Sequence, residues 1–122
     1  MVRNFDLYRA ILQRLEDCET PNSAVNAKDF SPYGEQEVAH HMRMLDEKGL
    51  IKANIIESSE GNNLIDAALA RRITDSGYDL LDSMRNDTLW TKIKAHFKER
   101  SVDMTIDLVK AIGKRFAEVM LA

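Results

Sequence analysis

The chain has 122 residues, of which 44% are hydrophobic and 30% charged, so we expect one domain, or one domain with a helical appendage. No apolar run reaches the roughly 18 residues of a membrane span, and the N-terminal residues do not resemble a signal peptide. We therefore expect no contact with membranes. A single cysteine excludes an internal disulfide, so we expect a protein of the reducing cytoplasm. Seventeen basic residues against 20 acidic ones give a net charge of −3, which does not favour nucleic-acid binding.

Hydrophobic periodicity and turn signals divide the chain into helices and strands. Residues 64–73 are ambiguous, because their Ala-rich run is compatible with a helix, but their position after a strand and a polar loop favours a hairpin. In chain order we predict a helix over residues 6–17, a short strand or extended arm over 24–30, a helix over 35–48, a strand over 50–56, a polar loop over 57–63, a return strand over 64–73, a helix from 74, a helix over 89–97 and a final helix that carries apolar residues from 106 to 120.

Cap residues indicate where these helices begin. Asn4 or Asp6 can cap the first helix, because the side-chain oxygen of either residue accepts the free N–H groups of the first turn. Gly34 stands at the N-cap of helix 35–48, and Gly49 follows its C-terminus. The later helices have further candidate caps, which are Thr74, a residue of the run Asn86-Asp87-Thr88, and Ser101 or Asp103.

The charges are distributed unevenly along the chain. Residues 1–87 contain ten basic and sixteen acidic residues, a net charge of −6, whereas residues 88–122 contain seven basic and four acidic residues, a net charge of +3. A basic end on an acidic body can contact phosphate, or it can pack against an acidic surface of its own chain or of a second copy. Solvated helix faces explain the same distribution.

The order of the predicted elements is that of a winged helix. In this fold the second apolar helix can enter a major groove, and the strand–loop–strand wing contacts the DNA backbone. Residues 38–51 resemble the recognition helix and first wing strand of bacterial winged-helix regulators, and residues 73–81 resemble the start of their next helix. We therefore predict an α+β, mainly helical fold. It comprises a winged-helix domain over residues 1–87, with a degenerate helix-turn-helix and a β-hairpin wing, and a C-terminal helical extension over 88–122 that packs on the body or mediates dimerisation.

A closer resemblance covers nearly the whole chain and depends on five short motifs. They are Asp6-Leu7-Tyr8-Arg9-Ala10-Ile11-Leu12, Glu37-Val38-x-x-His41, Gly49-Leu50-Ile51, Ile73-Thr74-x-x-Gly77 and Arg85-Asn86-Asp87-Thr88-x-Trp90-x-Lys92-Ile93. In this order they resemble the bacterial and prophage-associated family known as domain of unknown function 2513, for which the Arg-Asn-Asp-Thr-x-Trp motif is the most specific. The resemblance supports the fold and implies no catalytic residues, because that family has no established biochemical role.

One departure from a full helix-turn-helix lies between the first two predicted helices. This connection contains Pro21, Pro32 and a strand-like run, so a regular helix before the recognition helix is difficult to fit. Without that helix, the contacts that seat a recognition helix on the DNA backbone are missing or degenerate. This argues against ordinary DNA readout.

The candidate DNA contacts are hydrogen-bond donors on the exposed face of helix 35–48 and on the wing. Helix residues would face the groove, and the two wing arginines would contact phosphate. Residues 35–48 nevertheless contain four acids and two bases, a net charge of −2, although phosphate contacts dominate DNA affinity. A solvated helix face is an equal alternative. The candidates are Gln36, His40, His41, Arg43, Arg71 and Arg72.

The other chemical motifs are weak. Glu37 and His41 lie one turn apart beside His40, but two ligands are too few for a metal site, and His96 belongs to a distant helix. Cys18 has no nearby histidine and is expected to pack at a helix end. Trp90, at helical spacing with other apolar residues, indicates core packing. No phosphate-binding loop or nucleophile motif occurs, so we predict no catalytic residues, no metal and no cofactor.

The last predicted helix carries an apolar stripe that must dock on the body or on another copy. Its members are Val109, Ile112, Phe116, Val119 and Met120. Our leading hypothesis is a cytoplasmic winged-helix regulator of transcription, of bacterial or prophage origin, that binds double-stranded DNA as a dimer through its C-terminal helices. The alternative keeps the fold but not the DNA, and makes the protein an interaction module, such as a phage-encoded modulator of a host protein complex.

Overall fold

A computed structural model describes residues 1–18, 20 and 22–122 of the chain. These residues form five α-helices and a three-stranded antiparallel sheet, which confirms the prediction of an α+β, mainly helical fold. In chain order the elements are α1 (Phe5–Glu16), β1 (Val25–Asn26), a 3₁₀ turn (Ala27–Asp29), α2 (Glu35–Glu47), β2 (Ile51–Glu57), β3 (Ile65–Ile73), α3 (Asp75–Met84), α4 (Asp87–Arg100) and α5 (Ile106–Leu121).

Side-chain caps begin three helices at predicted residues. The Asn4 Oδ1 atom accepts a hydrogen bond from the Leu7 N–H at 3.2 Å, and the Asn86 Oδ1 atom accepts one from the Leu89 N–H at 2.9 Å. The Thr74 hydroxyl accepts one from the Gly77 N–H at 3.1 Å. Each bond satisfies a donor that the first helical turn leaves free, so local sequence is sufficient to start these helices.

The start of α5 differs from the prediction. Thr105 is the N-cap, and its hydroxyl accepts a hydrogen bond from the Leu108 N–H at 3.2 Å, so the assignment of Ser101 or Asp103 as the cap is wrong. Ser101 instead ends α4, with a left-handed φ of 53°. Ser101, Asp103 and Thr105 are all suitable cap residues, and the local pattern does not choose among them.

The sheet has the strand order β1–β3–β2, with all neighbours antiparallel. The hairpin predicted over residues 50–73 is confirmed, and Gly61 has the positive φ expected in its loop, at 68°. Of the extended element predicted over residues 24–30, only Val25–Asn26 is strand, because the Asn26 side chain accepts the Lys28 N–H and caps a 3₁₀ turn. That turn is the only helical structure among the described residues between α1 and α2.

The chain divides into two compact units, Met1–Gly77 and Tyr78–Ala122, and the division lies within α3. In the first unit, α1, α2 and the inner face of the sheet supply the buried apolar side chains. They include Leu7, Tyr8, Ile11, Leu12, Val38, Met42, Leu45, Ile51 and Ile65. In the second unit, α4 buries the whole of its predicted apolar face, and Trp90 is only 1% exposed, which confirms its core position. No helix among the described residues has the length and apolar character to cross a bilayer.

The apolar stripe of α5 divides into a covered part and an exposed part. Val109 is fully buried, Ile112 and Phe116 are half-buried, and the Phe116 ring lies 5.1 Å from that of His96. Val119 and Met120 are 73% and 46% exposed. The stripe is therefore docked within the chain over its first half, and Val109 is not available to a second copy.

Candidate nucleic-acid interface

His41 lies on the buried side of α2. Its Nε2 atom accepts a hydrogen bond from the Asn4 backbone N–H at 2.9 Å, so Nδ1 carries the proton and donates to the Glu37 carbonyl oxygen at 2.7 Å. The ring packs edge-on against Tyr8, and burial lowers the pKa of His41, which keeps the ring neutral at pH 7. The prediction that His41 lies on the exposed face is wrong, because this face of α2 packs against α1.

Gln36 is half-buried and is hydrogen-bonded to the hairpin. Its Nε2 donates to the Ile65 carbonyl oxygen at 2.8 Å, and its Oε1 accepts from the Ile65 N–H at 3.0 Å. The side-chain amide thus pairs with the first residue of β3 as the backbone of a neighbouring strand would. Gln36 positions the hairpin on α2, and its amide is not free to contact a base edge.

Arg43 and His40 are engaged at the same junction. Arg43 Nη1 donates to Glu57 Oε1 at 3.0 Å, its Nε lies 3.6 Å from Glu47 Oε1, and its Nη2 donates to His40 Nδ1 at 2.9 Å. Desolvation, together with the Arg43 charge, lowers the pKa of His40, while a hydrogen bond to the Asn63 backbone opposes this effect. Two carboxylates therefore neutralise the only arginine of α2.

Asp46 completes this junction at the outer edge of β2, where its Oδ1 atom accepts a hydrogen bond from the Ala53 N–H at 3.1 Å. The polar groups of Gln36, His40, Arg43 and Asp46 thus hold the hairpin against α2. We call these four residues, with Glu57, the α2–hairpin junction. The bonds from Gln36 to Ile65 and from Arg43 to Glu57 join residues 29 and 14 positions apart, which periodicity does not detect.

The outer face of the hairpin carries a different group of cations. Lys52 pairs with Arg72 and Ala53 pairs with Ala70, so Arg71 is an extra residue in β3 and forms a β-bulge. Consecutive strand residues ordinarily point to opposite faces, and the bulge is what leaves both Arg71 and Arg72 exposed. We call Lys52, Arg71 and Arg72 the hairpin cation cluster.

No described carboxylate forms an ion pair with the hairpin cation cluster. Arg71 Nε donates to Asn54 Oδ1 at 2.6 Å, which orients its guanidinium without neutralising it. Asn54 was not among the predicted site residues, although the alternation of β2 places it on the same exposed face as Lys52 and could have identified it.

The loop at the hairpin tip, unlike the hairpin cation cluster, carries no positive charge. Residues 58–64 contain Glu60 and no basic residue, and the loop is closed by a hydrogen bond of 2.9 Å from the Ser58 N–H to the Leu64 carbonyl oxygen. The cations therefore lie at the base of the hairpin. Arg71 and Arg72 come together there, whereas Gln36, His40 and Arg43 come together at the junction and His41 lies apart from both groups.

The single cysteine and the possible metal ligands do not form a second candidate site among the described residues. Cys18 is half-buried at the end of α1, where its Sγ lies 3.5 Å from the Arg14 carbonyl oxygen. Within the described part of the chain, no three His, Cys, Asp or Glu side chains are grouped so that they could hold a metal ion.

The fold and this surface define a small α+β protein whose second helix is joined to a cationic hairpin by polar contacts. The chain belongs to the family described as "Hypothetical protein (DUF2513)", whose model matches residues 2–103. It is similar to an uncharacterized protein of Haemophilus influenzae, with 34% identity over 122 residues and all of both chains covered. No solved structure gives a significant match.

The motif most specific for the family resemblance has a structural explanation. Within Arg85-Asn86-Asp87-Thr88-x-Trp90, Asn86 caps α4 and Trp90 is buried. Arg85 Nη1 lies 2.7 Å from Asp82 Oδ1 on the preceding helix. These contacts fix the turn between α3 and α4.

Proposed function

We propose that this protein is a winged-helix protein that binds double-stranded DNA and regulates transcription without catalysis. The order α1, β1, α2, β2, β3, α3 and the sheet order β1–β3–β2 support this proposal, since they are the order expected of a winged helix with a degenerate helix-turn-helix and a β-hairpin wing. The 3₁₀ turn at Ala27–Asp29 stands where that unit has its first helix. A cytoplasmic location and a prophage origin belong to the same proposal.

The observation that carries the proposal is the hairpin cation cluster. Phosphate contacts by Lys and Arg supply most of the non-specific affinity of proteins for DNA, because each contact releases condensed counterions. Three exposed cations that no described carboxylate pairs with are suited to this role. The overall charge of −3 does not oppose it, because the local charge of the contacting face determines the interaction.

The test is a fluorescence anisotropy titration of a labelled random-sequence duplex at 50 and 200 mM salt. Three phosphate contacts predict a slope of about −2.7 for log affinity against log salt, which corresponds to an affinity loss of about 40-fold between these concentrations. Absence of binding at 50 mM salt would overturn the proposal, because low salt favours counterion release most.

A protein-interaction module is the second candidate, and two surfaces favour it. The outer part of α2 is acidic, with Glu47 exposed and Arg43 neutralised. The C-terminal turn of α5 exposes Val119, Met120 and Leu121 to solvent, and apolar patches of this kind often mark protein contacts. In this second candidate function the protein has the same fold but does not bind DNA, and its partner is a host protein or a second copy of the chain. Light scattering coupled to size-exclusion chromatography measures the self-association.

A further inference from the structure

We infer that the hairpin cation cluster binds duplex DNA through its phosphates alone, and that this binding is independent of base sequence. The inference rests on the proposed function and specifies how the partner is held. It differs from helix-in-groove recognition, because the contact is placed at the base of the hairpin and α2 takes no part in base readout.

The β-bulge creates the contacting surface. Because Arg71 is the extra residue, its side chain and that of Arg72 lie on the same face as Lys52, which is the cross-strand neighbour of Arg72. Directly opposed strand residues have Cβ atoms about 5 Å apart. The Nε–H of Arg71 is held by Asn54, so its two Nη groups remain to donate as a fork to phosphate oxygens.

The arrangement of like charges indicates an anionic ligand. Like charges directly opposite each other destabilise a strand pair, and Lys52 opposite Arg72 is such a pair, with Arg71 beside it. None of the described carboxylates forms an ion pair with these cations that would relieve the repulsion. A bound phosphate backbone would relieve it.

Base readout from α2 is prevented by the α2–hairpin junction. The amide of Gln36 is paired with Ile65, and the guanidinium of Arg43 is bonded to Glu57 and faces Glu47. A contact of Arg43 with guanine would have to break these bonds and leave two carboxylates near the DNA. The acidic outer face of α2 would also repel the phosphates of a duplex placed in register with it.

Duplex DNA fits the surface better than a single strand. Proteins that bind single strands stack the bases on aromatic side chains. The hairpin, residues 50–73, contains no Phe, Tyr or Trp. It therefore offers cations for a backbone and no stacking platform for exposed bases.

The experiment measures anisotropy at 50 mM salt with two unrelated 20-base-pair duplexes and one matching single strand. We expect the two duplexes to bind the wild-type chain within threefold of each other and the single strand to bind more weakly. The double variant R71Q/R72Q should bind both duplexes at least tenfold more weakly, with a salt slope reduced by about 2. The matched control K48Q removes an exposed cation at the end of α2 and should change affinity less than twofold.

The outcomes separate the inference from the proposed function. If the wild-type chain binds duplexes and R71Q/R72Q binds them equally well, the inference is overturned and the proposed function stands. A preference of more than threefold for one duplex, or single-strand binding as tight as duplex binding, also overturns the inference alone. No duplex binding by the wild-type chain overturns both. If R71Q/R72Q does not fold, as judged by circular dichroism, the single variant K52Q supplies the same test with a slope reduced by about 1.

Discussion

Arg43 on α2 and Arg72 on β3 belong to the same compact unit but have opposite surroundings. Arg43 lies 3.0 Å from a carboxylate oxygen of Glu57 and 3.6 Å from one of Glu47, whereas Arg72 lies opposite Lys52 across the hairpin. The α2–hairpin junction satisfies its own charges and stabilises the fold. The hairpin cation cluster leaves its charges unsatisfied and is available to an anion. The same residue type therefore serves structure in one place and, in our proposal, contacts phosphate in the other.

Neither the junction nor the cation cluster should be as sensitive to substitution as the close packing of Gly77 against Leu50 and Ile73, which flank the hairpin. A Cβ atom at Gly77 would collide with the Leu50 carbonyl oxygen and would lie 2.7 Å from Ile73 Cγ2. We expect Gly77→Ala to lower the free energy of unfolding by about 3 kcal/mol, because the backbone of Leu50 cannot move aside easily. Urea denaturation measures this. Gly34→Ala is the matched control, with no atom within 4 Å of its new Cβ and an expected loss below about 1 kcal/mol.

Removal of the buried His41 imidazole should have the next largest effect on the free energy of unfolding. His41→Ala deletes a fully buried ring and leaves the Asn4 N–H without its acceptor. We expect the free energy of unfolding to fall by about 2–3 kcal/mol. The partly exposed neighbour provides the comparison, since His40→Ala should cost less than about 1 kcal/mol. Equal losses for the two variants would contradict the division of α2 into a buried and an outer face.

The same imidazole should make stability depend on pH. The folded state lowers the pKa of His41 below its ordinary value of 6.5, so at pH below 6.5 the unfolded chain binds the proton more readily than the folded chain. Stability is therefore full above this pH and falls as the pH decreases towards the folded-state pKa. His40 contributes in the same direction. Urea denaturation between pH 5 and 8 should show this slope, reduced in His41→Gln; an unchanged slope in that variant would exclude His41 as its source.

Loss of the Gln36 amide should loosen the hairpin. Gln36→Ala removes two hydrogen bonds to Ile65 and should cost about 1–2 kcal/mol. Hydrogen exchange of the Ile65 amide should accelerate, because its acceptor is gone. The amide of Ala53, which is held by Asp46 at another point of the junction, is the internal control and should exchange at its original rate in the same sample.

Substitutions in the cation cluster should have the smallest effect on stability. Lys52→Glu converts the like-charge pair with Arg72 into an ion pair and should stabilise the fold by about 0.5 kcal/mol. The same variant should weaken duplex binding, because a repulsive carboxylate replaces a phosphate contact. Thermal unfolding and anisotropy are measured on one preparation. If Lys52→Glu lowers the stability of the chain and leaves its affinity for duplex DNA unchanged, Lys52 stabilises the fold and does not contact DNA, which contradicts the comparison drawn above.

The sequence predicted the helices and strands correctly wherever the local pattern favoured a single assignment. The period of apolar residues located α1, α2 and α4, and the position of residues 64–73 after a strand and a polar loop located the hairpin. The start of α5 was predicted incorrectly, because three neighbouring residues have suitable capping side chains and Thr105 is the one used. Of the site, Arg71 and Arg72 lie on the exposed face of the hairpin, whereas His41 was assigned to the wrong face of α2.

The sequence by itself determined the order of helices and strands and the positions of the charges, because both depend on residues close together in the chain. Tertiary structure alone decided which charges are satisfied. Arg43 reaches Glu57 over 14 positions and Gln36 reaches Ile65 over 29, and both contacts require the hairpin to lie against α2 in one register. The bulge at Arg71 likewise arises from strand pairing, which a local pattern does not encode. Hydrophobic periodicity specifies which face of an element is buried, but the polar partner that a side chain finds is set by the packing of elements distant in sequence.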